Sequence, residues 1–204
     1  MGLRRSLFAA LKYVVPSDLE NYLEEQNSEG LRLCPLGQGS IFSFRFVEEK
    51  PEKLKYVVDC PTINKHSYMK KLTEEGWELM GSCLNCYVWR KSYEDGPRPE
   101  DFSDRAGQRT HCLNMGLIFL FFALVFCGIL IALISMMVKQ GQIESLEPVQ
   151  IAKFAVLMVL HLPFIFVFGR AAIKLLKELP VLDRKIRLKN SLRRSHEKEE
   201  REKI

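Results

Sequence analysis

Apolar residues follow three rhythms along this chain. In the first ninety residues they come in short runs that alternate or recur at helical spacing. From Thr110 to Val138 no Asp, Glu, Lys or Arg interrupts them, and from Phe154 to Gly169 the same is true again. Alternation predicts strands with one buried face, a 3.6-residue period predicts amphipathic helices, and an unbroken run of about 20 residues predicts a helix able to cross a bilayer.

Leu11–Val15 alternates and is rich in Val and Tyr, which predicts a strand ended by Pro16. Ser17 with Glu20 predicts a capping box on a helix that runs to about Ser28 and stops at Gly30. Leu31–Leu36 predicts a strand, Pro35 to Ser40 a turn, and Phe42, Phe44 and Phe46 a strand with one aromatic face. The pattern then recurs. Leu54–Asp59 predicts a strand, Thr62 or Asn64 caps a helix through Glu74, Gly76 stops it, and Trp77–Met80 predicts a strand. Cys83-Leu84-Asn85-Cys86 reads as a hairpin tip, and Tyr87 and Trp89 share one face of the strand after it.

The string LKYVV opens both runs, at Leu11–Val15 and Leu54–Val58, and each copy leads through a tyrosine helix (Tyr22, Tyr68) to a Glu-Gly stop. This predicts an internal duplication, with copies at about 8–49 and 54–91. The expected fold is α+β: duplicated strand–helix–strand–strand units forming one mostly antiparallel sheet with two helices on one face. Residues 92–109 predict a polar linker. A transmembrane helix at 110–138, a short external loop at 139–152 and a second helix at 153–170 make a hairpin, and 171–204 a basic tail.

Charge adds orientation. Residues 1–113 carry 16 Lys/Arg against 17 Asp/Glu, while the segment from Arg170 onward carries 12 against 6. A basic tail points to nucleic acid or to anionic lipid. Two apolar runs ahead of it select lipid: the predicted partners are the bilayer, anionic headgroups at the tail and a protein, with a homodimer compatible and no nucleic acid. The positive-inside rule places both termini in the cytoplasm of a cell membrane, with Lys139, Lys153 and Arg170 as cations at the membrane edges. A cytoplasmic domain would keep its six cysteines reduced. Ile173, Leu176, Leu179, Leu182 and Ile186 approximate an apolar stripe along the tail, which Pro180 is expected to kink or divide.

Candidate chemistry is sparse. Cys83 and Cys86 form a CxxC, but a zinc knuckle needs a second pair, and Cys34, Cys60 and His66 lack knuckle spacing. The histidines at 66, 111, 161 and 196 fall in four contexts, and no HExxH, GxSxG, GxGxxG or phosphate loop occurs. No catalytic residue, metal site or cofactor is predicted. His161 is a polar group inside an apolar run, for which a hydrogen bond to a nearby carbonyl or to Ser135 is the structural reading. Phe44, Trp77, Tyr87 and Trp89 read as sheet core, and also as the best candidates for ligand or partner binding.

The segments LENYLEEQNSEGLRL, GWELMGSCLNCYVWRK and PEDFSD, followed by an apolar hairpin, resemble the membrane proteins of domain-of-unknown-function family 2812. The likeness spans roughly Lys12 to Asp104, and departs from the family at Leu31, where an aromatic is commoner. It implies a bacterial inner-membrane protein with a cytoplasmic domain, encoded beside PadR-type regulators, with a role in envelope stress or antimicrobial response. The family offers no catalytic residues to carry over. Paired strand–helix–strand–strand units also resemble the gyrase-inhibitor-like fold, which implies amphiphile binding between the copies.

The reading is therefore a membrane-anchored cytoplasmic sensing or interaction module rather than an enzyme. The alternatives are a small accessory subunit of a membrane transport complex and a tethered amphiphile-binding domain.

Overall fold

The computed structural model describes residues 2–37, 40, 42–61, 66–94, 96–139 and 148–202. These form six strands and five helices in two compact units, one of residues 1–113 with 177–204, the other of residues 114–176. The chain is α+β, as its patterning predicts.

The first unit opens with β1 (Leu3–Leu7), a short α1 (Ala9–Lys12), α2 (Pro16–Ser28), β2 (Leu31–Leu33) and β3 (Ser43–Glu48). It continues with β4 (Leu54–Asp59), α3 (His66–Glu74), β5 (Glu78–Cys83) and β6 (Cys86–Ser92). Instead of one sheet there are two antiparallel sheets, ordered β1-β3-β2 and β4-β6-β5. Both place the last strand between the first two. They are tied together where Leu36 N–H donates to the Met80 carbonyl (2.6 Å) and Arg90 Nη1 to the Leu33 carbonyl (3.2 Å).

The two LKYVV strings part company here. Leu54–Val58 is strand, as predicted, but Leu11 and Lys12 end α1 and Tyr13–Val15 is irregular. The first strand lies upstream, at β1. The cause is tertiary: Ala9 and Ala10 are 1% and 0% exposed, and that burial beneath the sheet selects a helical turn over the local strand pattern.

The helices also differ from the one-face expectation. Leu19, Tyr22 and Leu23 of α2 join Phe44 and Phe46 of the first sheet and Tyr56, Val58 and Val88 of the second in one core. Leu72 of α3 packs with Val57, Trp77 and Trp89, on the opposite face of the second sheet. Adjacent strand residues point to opposite faces, so every residue of β4 is buried. Gly30 and Gly76 stop α2 and α3 with φ of 81° and 85°, a left-handed conformation open to glycine without strain. The Ser17–Glu20 capping box does not form. Pro16 starts the helix without a side-chain cap, and Glu20 is used elsewhere.

The 92–109 segment is more than a tether. Phe102 packs edge-on against Trp77 (4.7 Å) and Tyr68 (6.4 Å), and α4 (Arg105–Lys139) begins inside the first unit. In the second unit α4 and α5 (Pro148–Glu202) run antiparallel. Phe119 stacks on Phe168 at 5.9 Å, Phe126 on Phe164 at 5.1 Å, and Gly116 faces Leu176. Helices Arg105–Met136 and Ala155–Ser195 are long and apolar enough to cross a membrane. α5 continues through Pro163 and Pro180, so Pro180 does not divide it.

Candidate functional site

Two places in the first unit carry unsolved chemistry. One is a buried seam where α2, β4, the 93–104 segment and the first turns of α4 meet. β4 is an edge strand, and an edge leaves every second N–H and C=O without a ladder partner. Side chains supply them. Glu20 Oε1 accepts from Val58 N–H (2.8 Å), Glu24 Oε1 from Tyr56 N–H (3.3 Å) and Lys55 Nζ (3.1 Å), and Gln108 Nε2 donates to the Val58 carbonyl (3.3 Å). This need explains why Glu20 abandons the helix cap. Asp59, fully buried at the end of β4, accepts from Asp104 N–H and from the Tyr68 hydroxyl, both at 3.1 Å.

Burial governs the titration of these acids. It pushes Glu20 from 4.5 up to about 7, with the Val58 N–H opposing and the Asp101 charge adding to the rise. Burial also raises Asp59, against its hydrogen bonds from Asp104 and Tyr68.

At the same seam Cys60 and Cys86 form a disulfide, their Cα atoms 4.3 Å apart. This departs from the expectation that the cysteines of a cytoplasmic domain stand reduced. Cys83 and Cys86 face each other across the hairpin end, as predicted, with Leu84 and Asn85 both at positive φ (48° and 64°) in its two-residue turn. Cys83 remains a free, buried thiol, raised to about 11 by burial. His111, on the second turn of α4, completes the cluster: the two sulfurs and an imidazole nitrogen all lie within 4.8 Å of one another. Gly107 makes the approach feasible, because a Cβ there would overlap the Cys60 carbonyl oxygen. No signal in the sequence joins positions 60, 86 and 111, which lie just past β4, at the start of β6 and on α4.

The second place is the outer face of the first sheet. Register sets Leu3 opposite Val47, Arg5 opposite Arg45 and Leu7 opposite Ser43. Leu3 and Leu7 are 58% and 68% exposed, and Phe8 and Phe42 are also exposed beside them. Two arginines directly opposed across a ladder repel each other, and among the described residues neither forms an ion pair.

The sequence-predicted residues distribute as follows. Phe44 lies in the core between the two sheets, whereas Trp77, Tyr87 and Trp89 gather under α3, so the four are not one site. Phe42 is exposed and outside β3, apart from Phe44 and Phe46. His161 bonds the Leu157 carbonyl of its own helix through Nδ1 (2.7 Å) and meets Phe126 edge-on. Arg170 is exposed, and the side chains of Lys139 and Lys153 fall outside the described residues. The base of the tail belongs to the first unit: Leu182 is buried and Asp183 accepts from Arg109.

A family model described as "Protein of unknown function (DUF2812)" matches residues 16–124, more than half of the chain, and the chain belongs to that family. No curated protein matches it, and no solved structure does.

Proposed function

We propose that this member of the family is a membrane-anchored interaction module whose first sheet binds anionic amphiphiles, the acidic lipids of its own bilayer foremost. Two apolar helices hold the chain in the membrane, both termini are cytoplasmic, where the Cys60–Cys86 pair rests reduced and its disulfide belongs to an oxidised state, and the first unit reads the inner leaflet. The observation that carries this reading is the opposed pair Arg5 and Arg45, exposed between Leu3, Leu7, Phe8 and Phe42. A merely solvated sheet face needs neither the apolar side chains nor the like-charge pair. An anionic headgroup between the guanidiniums removes the repulsion, and the apolar residues cover acyl chain. The basic segment from Arg170 onward favours the same leaflet.

The test is hydrogen exchange of the full chain in nanodiscs of phosphatidylglycerol against phosphatidylcholine. Protection of residues 3–8 and 42–47 should rise in the anionic discs, and an Arg5→Glu, Arg45→Glu double variant should lose the difference. Equal exchange in both lipids overturns the reading. A reporter fused at residue 145 that is active only outside the cytoplasm supports the orientation, and one active only inside overturns it.

A further inference from the structure

We propose that Cys60, Cys86 and His111, in the reduced protein, form a binding site for a single zinc ion. Tetrahedral zinc with bonds of about 2.3 Å to sulfur and 2.0 Å to nitrogen sets its ligand atoms roughly 3.5–3.8 Å apart. In the oxidised protein the two bonded sulfurs and the imidazole nitrogen lie within 4.8 Å of one another, so reduction has only to part the sulfurs from bonding distance to reach the ligand spacing of zinc. Their backbones are held from three directions, by the end of β4, the start of β6 and the first turns of α4. Cys86 and His111 also line a cavity of about 10 Å³, together with Val14, Leu19, Val58 and Cys83. That volume matches the space one water needs, so a water can take the fourth position that three protein ligands leave open.

The chemistry balances in two steps. A thiol or phosphine reductant supplies two electrons, and two protons are taken up, opening the Cys60–Cys86 bond to two thiols. Zinc then binds as both thiols release their protons to solvent and the neutral imidazole donates its lone pair. Oxidation by a disulfide or peroxide oxidant reverses this: the two sulfurs rejoin and the ion leaves. Because His111 lies on the helix that carries the first apolar run, the ion would pin that helix's base to the second sheet by coordination. The disulfide joins only β4's end to β6. The site does not depend on the lipid reading above.

The experiment uses the untagged full chain in detergent, reduced by a phosphine, passed through a desalting column after incubation with zinc, and analysed for bound metal. One zinc per chain is expected. Cobalt substituted for it should give thiolate-to-metal charge-transfer absorption in the near ultraviolet. Cys86→Ser and His111→Gln should both lose stoichiometric zinc, whereas Cys34→Ser and Cys127→Ser should retain it. His111→Gln keeps the disulfide, so an unchanged melting temperature of its oxidised form certifies its fold. Zinc retained in full by a folded His111→Gln, no zinc on the reduced wild-type chain, or a disulfide that resists reduction in the folded protein each overturns the proposal.

Discussion

The two sheets of the first unit share a strand order and differ in how many faces they bury. In the second, β4 is enclosed on both sides, by α2 on one and by α3 with Trp77 and Phe102 on the other. In the first, Phe44 and Phe46 face the core, while Leu3, Arg5 and Leu7 stand in the open. The same strand order thus occurs in two different packing environments. The sheet buried on both faces carries the start of α4 at its β4 edge, through Gln108 on Val58 and Gly107 against Cys60. The sheet buried on one face leaves the other open, and the proposed lipid contact would form there. The aromatic richness of the second half, which draws attention in the sequence, packs under α3 as core.

Substitutions can break or sharpen this contrast. The largest effect belongs to the doubly buried sheet: Trp89→Ala should destabilise the first unit by about 3–5 kcal/mol. Leu7→Ala on the open face should change stability by less than about 0.5 kcal/mol. Denaturant unfolding followed by tryptophan fluorescence, from Trp77 alone in the first variant and from both tryptophans in the second, measures both, and equal effects would erase the distinction between the sheets.

Next comes the start of α4. Gly107→Ala drives a methyl into the Cys60 carbonyl, and overpacking of this kind costs about 1–3 kcal/mol. Hydrogen exchange should show amides of residues 104–112 losing protection, while β1 and β3 keep theirs. A uniform loss across both sheets would mean that α4 is not mounted on the second one alone.

The seam also predicts a pH dependence. The folded Glu20 carboxyl titrates near 7 against an ordinary 4.5. The folded state therefore holds the extra proton between those values. Its stabilising contribution is fully present below pH 4.5 and is lost as pH rises through 7. Glu20→Gln keeps an acceptor for Val58 N–H and removes that slope. At pH 8 it should be about 1–2 kcal/mol more stable than wild type, and at pH 4 no more stable, by melting temperature in detergent.

The smallest effect is on the open face. Arg5→Glu converts a repulsive cross-strand pair into an attractive one and should stabilise the unit by about 0.2–1 kcal/mol. It should also abolish the exchange difference between anionic and zwitterionic lipid. A destabilised variant would mean that Arg5 already has a protein partner, and the lipid reading would lose its support.

Much of this was legible in advance. The two Glu-Gly helix stops, the Cys-Leu-Asn-Cys hairpin and the two long apolar helices stand where the patterning puts them, because each depends on residues near in sequence. Left-handed glycines, a two-residue turn and an uncharged run are local properties. The split into two sheets, the placement of α2 and α3 on opposite faces and the upstream β1 were not legible. They depend on which apolar face meets which, and alternation in β4 reads the same whether one side or both are covered. Of the candidate places, the open face was visible only as leucines and arginines near the N-terminus, without the register that opposes Arg5 to Arg45.

The two LKYVV strings state the division most plainly. Sequence by itself determined α+β character, the helix stops and a pair of helices able to cross a membrane, since propensity, turn chemistry and hydrophobic length act over a few residues. Only the tertiary structure decided that one LKYVV is a strand and the other the end of a helical turn. It alone brought Cys60, Cys86 and His111 together. Long-range packing free energy exceeds the fraction of a kcal/mol per residue that local preference supplies, and convergence of distant side chains is a property of the fold.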